Sequence, residues 1–179
     1  MLDALITSRT RIKLMLKFFL NTSSTGYLRG LEAEFGDSTN AIRLELNRFE
    51  EAGLLEAHND GHRKIFQANK KHPLFSDIQS IIRKYIGIDD IIERVINQLG
   101  EPEEVYLIGD LARGLDSNDI NLIIVGSNTD LDYLESLVGK AQPMISRKIG
   151  YLVLTPDEFK TQRPYLNEEK LLKVWEKTD

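Results

Sequence analysis

The 179-residue chain contains no cysteine. Disulfides, thiolate zinc sites and thiol nucleophiles are thereby excluded, and a reducing, cytoplasmic setting is the expectation. Histidine is scarce as well. His58, His62 and His72 crowd into one stretch and leave little material for a histidine triad or a metal centre. Long apolar runs are missing: runs such as Leu122-Ile123-Ile124-Val125 and Tyr151-Leu152-Val153-Leu154 fall far short of the ~18 residues needed to cross a bilayer. No membrane partner is expected. Met1-Leu2-Asp3-Ala4-Leu5-Ile6-Thr7 lacks a charged start, a long apolar stretch and a small-residue cleavage site, which predicts no signal peptide. What the chain does contain is 41% apolar and 28% charged residues, a globular rather than a disordered profile. The length admits one domain or two small ones.

The net charge of −5 is unevenly spread. Residues 1–71 carry eleven Lys/Arg against nine Asp/Glu, and residues 72–179 carry twelve against nineteen. A phosphate-binding half beside an acidic half produces such a split, although a small basic excess does not by itself call for nucleic acid.

The first half reads as helices followed by a hairpin. Thr7 or Ser8 is placed to cap a helix running to about Leu20, with Ile12, Leu16 and Phe19 on one face. A loop composition at 21–26 precedes a second helix from Tyr27 to Phe35, which Gly36 closes. Asp37-Ser38 opens a third, from Thr39 to Ala52. In it Ile42, Leu46 and Phe49 point one way, and Asn40, Arg43 and Asn47 point nearly opposite. An Asn/Arg/Asn ridge suits a major groove, because Arg forks onto guanine and Asn onto adenine. Leu54–His58 and Arg63–Gln67 then flank Asn59-Asp60-Gly61-His62, a hairpin signal. Arg63 and Lys64 lie just past its tip, within reach of phosphates or a minor groove.

Three short helices and a basic-tipped hairpin resemble the winged helix-turn-helix regulators of bacteria and archaea. The specific stretch runs from Ser38 to Leu55 and ends Leu46-Asn47-Arg48-Phe49-Glu50-Glu51-Ala52-Gly53-Leu54-Leu55. The resemblance covers about residues 8–68. It implies that Ser38, Thr39, Asn40, Arg43 and Asn47 lie in or over the groove of double-stranded DNA, with Arg63 and Lys64 on the wing.

Residues 72–100 read as a helical connector. Ile78, Ile81, Ile82, Tyr85 and Ile86 form one apolar face. Ile88, Ile91, Ile92, Val95, Ile96 and Leu99 form another after Gly87. Core or dimer packing is the expected use of such a stripe, and a regulator that reads a palindrome is expected to be a homodimer.

Residues 101–179 predict a small α/β domain, with strands at 104–108, 119–126 and 146–154. Helices are expected at 130–141, after Thr155-Pro156, and from Asn167 to Lys177, with Glu168 and Glu169 in the last helix's first turn. Val105–Gly114, followed by Ser117-Asn118-Asp119-Ile120-Asn121, is similar to the minimal nucleotidyltransferase domain. That resemblance implies phosphate binding at the Gly109 turn and two metal-binding carboxylates on the next strand. Independently of it, the free backbone N–H groups of a turn before a short helix can hold an anion, with Arg113 on that helix placed to assist. The period-2 spacing puts residues 119 and 121 on one face. Nucleotidyl transfer needs paired metals held by hard anionic oxygens. The chain departs from this pattern at three places. Asp110 stands where the family has serine, Asn121 where it has a second carboxylate, and Lys148–Leu154 contains no acid. Gly109, Asp110, Arg113, Asp119 and Asn121 are therefore candidates for a nucleotide-binding remnant, with no catalytic residue and no resident metal. An unorthodox metal site from Asp110, Asp116 and Asp119 is the alternative, although acids around a turn are more commonly solvated or capping.

The expectation is an α+β protein with a winged helix at 1–71, a connector at 72–100 and a degenerate nucleotidyltransferase-like domain at 101–179. Its function is DNA-binding regulation without a cofactor, open to a small-molecule or nucleotide effector. An active Mg²⁺-dependent nucleotidyltransferase and a plain protein-interaction module are the alternatives.

Overall fold

The computed structural model describes residues 4–100, 102–167 and 170–178. The fold is α+β and forms two compact units. One takes the chain up to Tyr85 together with Gly114–Asp116, and the other takes Ile86–Arg113 and the residues from Ser117 onward.

In the first unit, helix α1 spans Arg9–Met15, and the Ser8 hydroxyl caps it by accepting the Arg11 N–H at 3.2 Å. The chain continues through a widened π-type turn, Leu16–Leu20. The sequence predicts one straight helix with a single apolar face here. The segment is instead buried along its whole length: Leu16, Phe18, Phe19 and Leu20 are all covered, and Lys17, buried with them, pairs with Glu34 at 2.8 Å. A two-residue strand β1, Thr25–Gly26, leads to α2, Leu28–Phe35. Gly36 closes α2 at φ +67°, a left-handed conformation that glycine adopts without strain. Helix α3 spans Thr39–Glu51 and packs Ile42, Leu46 and Phe49 inward. Strands β2, Leu55–Asp60, and β3, Arg63–Ala68, form the expected hairpin around a two-residue Gly61-His62 turn, with Gly61 at φ +59°. The sheet order is β1-β3-β2, and all pairing is antiparallel. Helix α4, Phe75–Ile86, starts with the Phe75 ring 5.9 Å from that of Phe19.

Polar contacts fix the pose of α3. The Lys13 ammonium donates to the Phe35 carbonyl at 2.8 Å and to Asp37 Oδ1 at 2.7 Å. The Thr10 hydroxyl donates to Asp37 Oδ2 at 2.8 Å. Helix α1 thus holds both the end of α2 and the turn before α3. Burial acts to raise the Asp37 carboxyl, but the bonds from Lys13 and Thr10 and the Lys13 charge outweigh it, and the group lies below its ordinary value.

In the second unit, α5 spans Ile88–Arg94 and is preceded by Gly87 at φ +90°. The sheet has order β6-β5-β4-β7, with β4 at Glu104–Ile108, β5 at Asp119–Val125, β6 at Lys148–Leu154 and β7 at Leu171–Glu176. Strands β5 and β6 are parallel, with α6, Leu131–Ala141, between them in the chain, and β4 is antiparallel to both neighbours. Helix α7, Pro156–Gln162, begins with a full capping box between Thr155 and Glu158. Tyr106, Ile123, Val125, Leu154 and Phe159 form one core cluster, with the Tyr106 and Phe159 rings 4.7 Å apart.

The final helix expected at 167–177 is not formed. Residues 171–176 are strand β7. Val105, Tyr106 and Leu107 of β4 are buried, and their backbone groups need partners on the side away from β5. Strand β7 supplies them, and that pairing overrides the helical spacing of Leu171, Leu172 and Trp175. Glu168 and Glu169 lie outside the described residues. Among residues 72–100, Ile82, Ile86, Ile88, Ile91, Val95 and Ile96 are buried, while Leu74 and Ile81 are 53% and 45% exposed.

Candidate nucleic-acid interface

Helix α3 presents Asn40, Arg43 and Asn47 to solvent, on the side opposite its buried Ile42, Leu46 and Phe49. The opposite face also carries Glu45, which is buried and ion-paired to Arg11 at 2.8 Å and to Arg48 at 3.2 Å. Burial acts to raise the Glu45 carboxyl. Hydrogen bonds from Arg11 and Ser8 and the charges of Arg11 and Arg48 outweigh it and hold the group below its ordinary value. The helix is therefore clamped by its inner face, and its outer ridge is left clear. Ser38 has a structural task, because its hydroxyl caps α3 by accepting the Ala41 N–H at 3.2 Å. Thr39 is half-buried in the first turn.

The ridge borders an open groove of about 690 Å³ within the first unit. Tyr27, Leu28 and Arg29 form one wall, at the start of α2. Arg43, Leu46 and Asn47 of α3 line it as well, and the hairpin supplies His62, Arg63, Lys64 and Phe66. No acidic residue is among those lining it. Arg63 lies with its guanidinium 4.7 Å from the centre of the Tyr27 ring. Lys64, which the sequence predicts as a free phosphate contact, reaches Glu50 at 2.6 Å and lies 5.2 Å from the Phe66 ring. That pair is half-exposed and worth at most about 1 kcal/mol, so a phosphate can displace the carboxylate.

Sequence reasoning missed Tyr27 and Arg29, because their approach to the hairpin comes from β1 pairing with β3, a contact across some forty residues. It also left out Leu44, which is 52% exposed on α3 beside Asn40, Arg43 and Asn47. An apolar side chain left outside a well-formed core was visible in the helical pattern.

The second unit places the other candidates as follows. Gly109 has φ +80°. The helix after it is a single turn, Leu111–Arg113, too short for an anion-binding N-terminus. Asp110 is exposed, and its Oδ1 lies 4.0 Å from Arg113 Nη1. Asp119 and Asn121 are both exposed on β5. Their register partners on β6 are Lys148 and Gly150. The Asn121 carboxamide lies against Gly150, where an added Cβ would stand 2.5 Å from Oδ1. Among the described residues no group of three or more His, Cys, Asp or Glu could hold a metal ion. Asp110, Asp116 and Asp119 are therefore not among any such group.

No helix among the described residues is long and apolar enough to cross a membrane. No family model matches the chain, and no curated protein does. Among solved structures, AF1382 of Archaeoglobus fulgidus is similar at 18% identity over 52% of this chain and 98% of its own, with a TM-score of 0.38. A candidate nucleotidyltransferase of Sulfolobus solfataricus is similar at 24% identity over 62% of this chain and 94% of its own, with a TM-score of 0.38. A candidate transcriptional regulator for arsenical resistance is similar at 24% identity over 52% of this chain and 90% of its own, with a TM-score of 0.31.

Proposed function

We propose that the protein is a cytoplasmic, homodimeric, DNA-binding transcriptional regulator. In this reading residues 1–71 are a winged helix, 72–100 a connector, and 101–179 a nucleotidyltransferase-like module for dimerisation or for sensing a small ligand. One observation carries the reading: an acid-free groove with Arg29, Arg43 and Arg63 on its walls, beside an exposed Asn/Arg/Asn ridge on a rigidly clamped helix. Such a surface offers guanidinium forks and carboxamides to base edges, and cations to phosphates. No bond is made or broken.

The test is binding of the purified chain to genomic DNA fragments, followed by sequencing of the retained fragments. On a retained duplex, Arg43→Ala should lose ~1–3 kcal/mol of specific binding and relax base choice. Affinity should also fall steeply as salt rises. Equal affinity of variant and parent, or binding indifferent to salt, would overturn the assignment.

The same reading makes the second unit catalytically silent. Mg²⁺ asks for several hard anionic oxygens in near-octahedral array. Asp119 is flanked in register by Lys148, and Asn121 contributes a neutral amide against a glycine. These residues do not fit a two-metal centre. Mg²⁺-dependent labelling of protein or RNA from a radiolabelled nucleoside triphosphate, abolished by Asp119→Ala, would refute this part.

A further inference from the structure

The hairpin carries two neighbouring cations that are held in different ways. Lys64 is paired with a carboxylate, while Arg63 has no ion-pair partner among the described residues and lies over an aromatic ring. The Tyr27 ring that receives it is itself seated on glycine. A Cβ added at Gly30 would stand 2.9, 3.1 and 3.3 Å from three carbons of that ring. The ring is therefore packed close on the bare backbone of α2, and the guanidinium lies 4.7 Å from its centre. Residue 30 has no positive φ, so the ring's space, and not the backbone, accounts for the glycine.

A guanidinium lying on a ring keeps its N–H groups in its own plane, free for oxygens at the edge. It has also given up rotamer freedom that a loose arginine would lose on binding. Here it is turned from the hairpin tip into the groove wall shared with Arg29 and Arg43. We propose that Tyr27, seated on Gly30, is a positioning residue that holds Arg63 ready for a phosphodiester of the bound duplex, and that Arg63 contacts the backbone rather than bases. This rests on the DNA-binding reading above.

The experiment measures fluorescence anisotropy on a duplex retained by the parent, across a salt series. The chains are the parent, Tyr27→Phe, Tyr27→Ala, Arg63→Ala and the Tyr27→Ala/Arg63→Ala double variant. Arg63→Ala should weaken binding roughly tenfold at low salt. It should also lower the log–log salt slope by about one, without changing base preference. Tyr27→Ala should lose about two- to fivefold, the scale of a cation–π contact. The double variant should match Arg63→Ala alone, and Tyr27→Phe should match the parent. Losses that multiply in the double variant, or a Phe variant as weak as the Ala variant, would overturn the positioning role. A change in base preference with an unchanged salt slope in Arg63→Ala would overturn the backbone assignment. A parent that binds no duplex would refute the DNA-binding reading itself, and the positioning role with it. Proton NMR of the DNA-free parent tests the stack without any variant: the Arg63 δ-methylene should be shifted upfield by the Tyr27 ring, and random-coil values would rule the stack out.

Discussion

Glu45 should tie the pose of helix α3 to pH. Its side chain is 5% exposed and accepts from Arg11 Nε at 2.8 Å, Arg11 Nη2 at 3.3 Å and Arg48 Nη1 at 3.2 Å. Stripping one partner from a fully buried ion pair costs about 3–5 kcal/mol, whereas a surface pair is worth roughly 0–1 kcal/mol. This pair lies between those limits, because Arg11 and Arg48 are 34% and 51% exposed and water can take them back. Glu45→Gln keeps the shape and one acceptor, but it removes the charge and turns an amide donor towards a guanidinium. A loss of about 2 kcal/mol at pH 7 follows, enough to lower the melting temperature of a unit this size by roughly 8–16 °C. Arg48→Ala, with its half-exposed partner, should cost no more than about 1 kcal/mol.

The pH dependence has a definite sign. The folded Glu45 carboxyl titrates below its ordinary value of 4.5. Its contribution is therefore complete above pH 4.5 and is lost as the pH falls through the lower folded value. Urea unfolding followed by helical circular dichroism should show a gap between parent and Glu45→Gln that is wide at pH 7 and closes below 4.5. A gap that persists unchanged on acidification, or one under about 0.5 kcal/mol at pH 7, would refute the clamp.

Other outcomes follow from the same geometry. Glu50→Gln frees Lys64 from its 2.6 Å carboxylate partner, and DNA affinity measured by anisotropy should rise at low salt and converge on the parent as salt increases. Unchanged or weaker binding would show that Lys64 does not reach phosphate. Thr155→Ala dismantles the capping box of α7 and should cost ~1 kcal/mol in thermal unfolding, and a smaller loss with Thr155→Gly would confirm that the cap is the cause. Gly150→Ala drives a methyl to 2.5 Å from Asn121 Oδ1 and should destabilise by about 1–3 kcal/mol. Adding Asn121→Ala should restore most of that stability, and strict additivity in this double-mutant cycle would count against the contact.

Local chemistry was legible where it was self-sufficient. Ser8, Ser38 and Thr155 cap the helices that their positions suggest, because a cap involves only a residue and the turn after it. Gly36, Gly87 and the Gly61-His62 turn stand where the chain must turn. The outward ridge of Asn40, Arg43 and Asn47 follows from the 3.6-residue period alone.

Tertiary structure decided whatever required a partner distant in the chain. Leu171–Glu176 had a helix's spacing and became a strand because the buried β4 had an open edge. Strand β1, only two residues long, exists because β3 lies beside it. That pairing brings Tyr27 under Arg63 and closes a wall of the groove. Glu45 is a buried acid because two arginines, one from α1, pair with it, and nothing in the local sequence marks that pairing. The amino-acid order by itself determined where helices begin, where turns fall and which face of α3 is polar, since these depend on interactions a few residues long. Which strand pairs with which, and which charge is neutralised and which left standing, depended on closing long loops, and only the assembled fold compensates that entropy.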